Sequence, residues 1–318
     1  MTFAAAVDRY WEEVGQFSEK AKAAAAKRKE CDEEVAFNRL LDADWVGEDR
    51  LLTEITDNLV ASLVAKRRKM YRHGNPDLGL VSNAQVNRTV TDLLQRVMTR
   101  AKKVWKIPLP DMPDWSEHVL PETIRKREMT YAEEAKLNDH MREDYRNAVE
   151  FALLTGLRRE NVVGLTWDAI DLDGGIIRVV TKMGKTKEIL ITDEVAAILE
   201  EENGRHPMKV FTFVAVRTYT NPTNGQPYVK GHRYPITYSG YGTFFIRLRE
   251  KAGVQDLTIH DLRKTLGSRV TRKFGLKMAK EILGHSNITI TEAHYSHIAQ
   301  EEQRQALSGV AKDRRKSA

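Results

Sequence analysis

The chain has 318 residues, 41% apolar and 30% charged, which is enough apolar material for a sizeable core and enough length for two domains. A single cysteine, Cys31, excludes an intrachain disulfide framework and a Cys-rich zinc site, and points to a reducing compartment. The 51 basic residues exceed the 45 acidic ones by 6, modest evidence for a polyanionic partner. The opening segment MTFAAAVDRYWEEV does not read as a signal peptide, and no stretch approaches the ~18 to 20 apolar residues of a membrane span.

Residues 1–106 read as helical, with no strand-like alternation and with helical apolar spacing at Val86, Val90, Leu93, Leu94 and Val97 behind a Ser82 N-cap. Two acid-free basic runs lie in this part. Residues 61–72 hold Lys66, Arg67, Arg68, Lys69 and Arg72, and residues 96–106 hold Arg96, Arg100, Lys102, Lys103 and Lys106. Residues 107–121 hold four of the nine prolines, so neither a single helix nor a central strand fits, and a domain linker is expected there.

From residue 122 the pattern becomes mixed. Thr130 and Glu133 form a capping box, and a long helix through Val149, Ala152, Leu153 and Leu154 should run to Gly156. Ile176 to Val180 and Glu188 to Ile191 read as two strands of a small antiparallel sheet, turning near Met183 and Gly184. Residues 217–240 carry no clear assignment. After residue 258, Leu262, Leu266 and Val270 recur every four positions in an amphipathic helix stopped at Gly275, and a short helix then ends at Gly284. A third basic run, residues 263–280, includes Arg263, Lys264, Arg269, Arg272, Lys273, Lys277 and Lys280. Any one run alone is most simply a solvated helix face; together they suit one DNA-facing surface.

Chemistry-bearing residues punctuate this second part. His260 and Arg263, three apart, share one face at the positive N-terminus of a helix capped by Thr258 and Asp261, a geometry suited to phosphate. His285 follows the Gly284 stop, Arg158 and Arg159 follow Gly156, and Lys182 lies at the hairpin tip. Taken singly, these are ordinary surface cations, and Tyr295 is an ordinary packing aromatic.

In order, however, TGLRREN, TKMGK, HDLRKT, LGHS and HYSH resemble the tyrosine recombinase (phage integrase) family over most of the chain. The resemblance implies an α+β protein: a helical core-binding domain (1–106), a Pro-rich linker (107–121), and a mainly helical catalytic domain with a small antiparallel sheet (122–318). It implies a site-specific recombinase in which Arg158 and Arg263 bind the phosphate and His260 assists proton transfer. His285 would donate to the phosphate, Lys182 would act as general acid with Lys185 in reserve, and Tyr295 would attack to give a 3′-phosphotyrosyl intermediate. Neither ATP nor metal would be needed.

Lys66, Arg67, Arg68, Arg100, Lys102, Lys103 and Lys264 are the candidate DNA-binding residues. The implied partners are double-stranded DNA and three further copies of the chain on paired sites, with accessory DNA-bending proteins left open. The implied setting is cytoplasmic and nucleoid-associated, in a bacterium or phage. Alternatives are a topoisomerase-like relaxing enzyme and a catalytically silent DNA-binding protein. Lys264 stands where many members have His, and Asn161 where an acidic residue is common. Tyr295 lies ten residues after His285, with His294 in the family's usual ninth place.

Overall fold

The computed structural model describes residues 1–318 except 27–28, 124, 181–183, 185, 223–224, 285–294, 296–297 and 299–318. The chain forms two compact units, Met1–Thr123 and Ile124–Ala318.

The first unit is helical: α1 (Phe3–Glu13), α2 (Glu19–Ala25), α3 (Asp32–Leu41), α4 (Asp57–Arg68), α5 (Asn83–Val86), α6 (Asp92–Lys103) and the short α7 (Trp115–His118). Ser82 caps α5 by accepting from the Gln85 N–H, as its position before the periodic stretch predicts. α5 runs into α6 through a π-helical turn over Asn87–Thr91, and the apolar stripe Val90, Leu93, Leu94, Val97 is buried against Phe3, Phe37 and Leu40.

The Pro-rich stretch differs from the expected linker, because it packs onto this same core. Leu109 is buried, and Met112, Trp115 and Leu120 lie against the helices. The Asn87 side chain donates to the Leu120 carbonyl and accepts from the Leu120 N–H, both at 2.9 Å, while His118 Nε2 lies 2.7 Å from Asp57 Oδ1. Proline denies these residues a helix, but their apolar side chains and the amide of Asn87 give them a fixed seat. The division between units falls after Thr123.

The second unit is mixed and mainly helical, an α+β architecture. Its helices are α8 (Tyr131–Asp139), α9 (Glu143–Thr155), α10 (Arg159–Gly164), α11 (Asp193–Glu202), α12 (Tyr238–Lys251) and α13 (Ile259–Leu283). The Thr130–Glu133 capping box starts α8, but the single helix expected up to Gly156 is two, with α9 restarting after Arg142. Gly156 closes α9 in the left-handed conformation, φ +62°.

Strands β1 (Ile170–Asp171), β2 (Ile176–Val180) and β3 (Thr186–Leu190) form an antiparallel sheet in that order, with Ile176 opposite Leu190 and Val180 opposite Thr186. The unassigned region becomes part of two short pairs, β4 (Thr212–Val214) with β7 (Arg233–Pro235) and β5 (Tyr219–Thr220) with β6 (Pro227–Tyr228). Their strands are too short to show alternation in sequence. The core gathers Phe151, Ile177, Phe211, Tyr241, Phe245 and Leu262. α13 is broken at Gly275 (φ +83°, ψ 168°), the position read as a stop, and ends at Gly284. Among the described residues no helix is long and apolar enough to cross a membrane.

Candidate active site

The turn between α9 and α10 and the two ends of α13 build the site. Arg158 is the N-cap of α10, just beyond the left-handed Gly156 that turns the chain back. A Cβ at Gly156 would lie 2.9 Å from Leu266 and Leu283, so glycine is needed both for φ and for the approach of α13. That approach brings in Arg263, which is 5% exposed and donates to the carbonyls of Gly156 and Leu283, both at 2.5 Å. Burial, then the neighbouring Arg158, hold Arg263 down at about 10, so it stays cationic at pH 7. Among the described residues no carboxylate forms an ion pair with Arg158 or Arg263. Two guanidiniums without a counter-charge make an anion-binding locus.

His260 and Asp261 sit on the first turn of α13. Asp261 is fully buried, and its Oδ2 accepts from the Thr258 N–H at 2.8 Å and from Arg125 at 2.6 Å. Its Oδ1 pairs with Lys264 at 3.2 Å. Burial alone would raise this carboxyl, but the bonds from Thr258 and Arg125 and the charge of Lys264 outweigh it and keep it ionised. His260 is exposed to solvent, yet desolvation by its surroundings, then Lys264 and Arg263, push it down to about 4. It is therefore neutral at pH 7 and able to take a proton.

Tyr295 is buried, 3% exposed, against Leu283 and Ile298. Its hydroxyl seats on the α13 backbone, where a Cβ at Gly267 would lie 2.3 Å from it. Burial raises the phenol to about 12, partly offset by the field of Arg263. The structure thus brings together Arg158, His260, Arg263 and Tyr295. Lys182, Lys185 and His285 lie outside the described residues.

A further cation, Lys187, was not singled out from the sequence. It sits on the same face of β3 as the buried Ile189 and donates from Nζ to the Ile282 carbonyl at the end of α13. Burial, then Arg263 and Arg158, push its amine down to about 8. The available signal was period two: Lys187 shares parity with Ile189, so it faces inward. Asn161 donates to the Val180 carbonyl at 3.0 Å, where β2 ends.

The candidate DNA-binding residues divide. Arg68, Lys102 and Lys103 are exposed, as is Lys66, which donates to the Asp44 carbonyl at 2.6 Å. Arg67 is instead 5% exposed, bonded to Thr89 and Met70, and held down at about 10 by burial. Arg100 pairs with Glu13 at 2.7 Å, and Lys264 is turned onto Asp261 and the Arg125 carbonyl. In the third run Arg269 pairs with Glu134 and Arg272 with Glu128. Charge runs do not reveal which members face inward. Among the described residues no cluster of three His, Cys, Asp or Glu side chains is arranged for a metal.

The phage integrase family model matches residues 127–302, more than half of the chain. The chain belongs to the phage integrase family. It is 26% identical over 219 residues to the integrase of Salmonella phage P22, a match covering 66% of this chain and 53% of that protein. It is 28% identical over 195 residues to the tyrosine recombinase XerC of Pseudomonas fluorescens, covering 58% of this chain and 59% of the relative. These matches span little more than half the length of either relative. Among solved structures, the Tn1549 transposon integrase in complex with transposon right end DNA superposes with a TM-score of 0.67 at 19% identity, covering 98% of this chain and all of that one. At that identity the likeness is one of fold.

Proposed function

We propose that this phage integrase family member is a site-specific DNA recombinase that cleaves and rejoins double-stranded DNA through a 3′-phosphotyrosyl intermediate. The observation that carries the reading is the pair Arg158 and Arg263, without carboxylate partners among the described residues, with the Tyr295 phenol in the field of Arg263. The two guanidiniums would bind the non-bridging oxygens, whose charge grows as the phosphorus becomes five-coordinate. Tyr295 would form the new bond to phosphorus and release its proton toward the neutral His260. The bond to the 5′ oxygen would break, and that oxygen would take a proton from Lys182, while His285 would donate to the phosphate. Because the phosphoester is conserved in the tyrosyl linkage, a 5′ hydroxyl can reverse the reaction without ATP. Exchange between two duplexes needs four such sites, so four protomers on paired DNA are expected.

The test is covalent trapping on a nicked duplex built from the junctions that flank the coding region. Wild type should yield a protein–DNA adduct. Tyr295→Phe should bind the duplex with unchanged affinity and give none, and His294→Ala should keep measurable cleavage. An adduct persisting in Tyr295→Phe would overturn the assignment of the nucleophile. Supercoil relaxation without intermolecular products would point to a topoisomerase-like enzyme instead.

A further inference from the structure

The β2–β3 hairpin spans Lys182 in sequence, and two strands of five residues do not by themselves fix its seat on the rest of the unit. Two polar tethers hold its strands. At the end of β2, the Val180 carbonyl accepts from Asn161, a residue on the same short helix that Arg158 caps. On β3, the Lys187 stem runs across Gly284, where a Cβ would lie 2.8 Å from its Cδ, and its ammonium bonds the Ile282 carbonyl. The next carbonyl, that of Leu283, is taken by Arg263. The last turn of α13 is therefore closed by two cations, one from the hairpin and one from the phosphate-binding pair.

Packing alone does not account for a lysine here. Thr186, Glu188 and Leu190 point outward, while position 187 shares the inward face with Ile189, where an apolar side chain would fill the space without burying a charge. The ammonium is instead placed in the field of Arg263 and Arg158, which depresses it further.

We propose that Lys187 is a positioning residue that docks the β2–β3 hairpin onto the end of α13, so that the hairpin's general acid and the two arginines address the same phosphate. The proposal rests on the reading of the site given above. Lys187 transfers no proton itself; the proton to the leaving 5′ oxygen comes from the hairpin turn.

The experiment uses the full chain, single-turnover cleavage, and matched nicked duplexes with oxygen or sulfur at the bridging 5′ position. Sulfur leaves as a thiolate and needs no acid. Lys187→Met keeps the stem and removes the donor. It should bind DNA within about twofold of wild type, cleave the oxygen substrate at least ~10-fold more slowly, and recover on sulfur, because the misplaced group is the acid. Lys187→Arg restores a donor that can dock on the Ile282 carbonyl yet is a poor acid. It should cleave the oxygen substrate within about threefold of wild type.

A Lys187→Arg enzyme slow on oxygen but fast on sulfur would make Lys187 the acid itself, and overturn the proposal. So would a Lys187→Met enzyme at the wild-type rate, one unrescued by sulfur, or one whose DNA affinity falls in step with its cleavage. Melting midpoints check folding, and should Lys187→Met not fold, Lys187→Arg decides alone. Absence of any adduct with wild type would sink the recombinase reading, whereas wild-type cleavage with an unaffected Lys187→Met sinks only this one.

Discussion

Tyr295 with its phenol raised to about 12 is almost wholly protonated at pH 7, about one molecule in 10⁵ being ionised, so the proposed attack would require an acceptor for the proton. The proposed acceptor is His260, whose neutral ring lies on the same helix as Arg263. Its depressed pKa also has a consequence for stability. Folding favours the uncharged ring, so the stability this adds is present above about 6.5 and is lost as pH falls toward about 4. The melting midpoint should therefore decline across that window in wild type and decline less in His260→Gln. The effect is modest because His260 is exposed to solvent. Glu13 and Glu133, held at about 2 from an ordinary 4.5, begin to lose their contributions only below 4.5, and Glu202, raised by burial, titrates alike in both proteins, so the difference between the two profiles reads His260. Superimposable pH profiles of the two proteins would rule out the neutral-histidine assignment.

Among the elements, α13 carries the most chemistry, and its two ends differ in how far sequence could foretell them. The His-x-x-Arg spacing, the Thr258–Asp261 cap and the break at Gly275 are local rules of helix geometry, and each stands where those rules put it. The first hairpin strand and the Gly156 turn were likewise local, but the second strand runs over Thr186–Leu190 rather than the expected Glu188 to Ile191. What could not be read is what crosses between elements: Lys187 on the Ile282 carbonyl, the Tyr295 hydroxyl over Gly267, and Arg125 reaching Asp261 from 136 residues away in the chain. Such contacts depend on tertiary placement, to which propensity and periodicity are blind. Asp261→Asn tests how much the start of α13 depends on one of them. The amide keeps an acceptor for the Thr258 N–H, but it leaves Lys264 and Arg125 facing a neutral group where the carboxylate was fully buried. Breaking a buried pair typically costs 3 to 5 kcal/mol, and Arg125 is about a third exposed, so a loss of about 3 kcal/mol is expected in urea denaturation. A loss below about 0.5 kcal/mol would show that the cap alone holds the helix start.

Across the whole molecule, the excess of 6 positive charges is small, so the proposed DNA affinity would have to come from where the cations lie rather than from net charge. The three basic runs looked equivalent in sequence, but they are not equivalent in the fold. Arg68, Lys102 and Lys103 are exposed and have no carboxylate partner among the described residues, whereas Arg67 is buried and Arg100 is committed to Glu13. Each lysine or arginine that neutralises a phosphate releases condensed counterions, and contributes about 0.9 to the slope of log affinity against log salt concentration. Arg68→Gln, Lys102→Gln and Lys103→Gln should each weaken binding and flatten that slope by up to about 1, measured by fluorescence anisotropy on duplex DNA. Arg67→Gln should leave the slope unchanged and lower the melting midpoint instead, since it removes the bonds to Thr89 and Met70 from a packed position. If Arg67→Gln flattens the slope as much as its exposed neighbours do, the buried arginine must swing out on DNA. If none of the three exposed variants changes the slope, DNA approaches the first unit by another face.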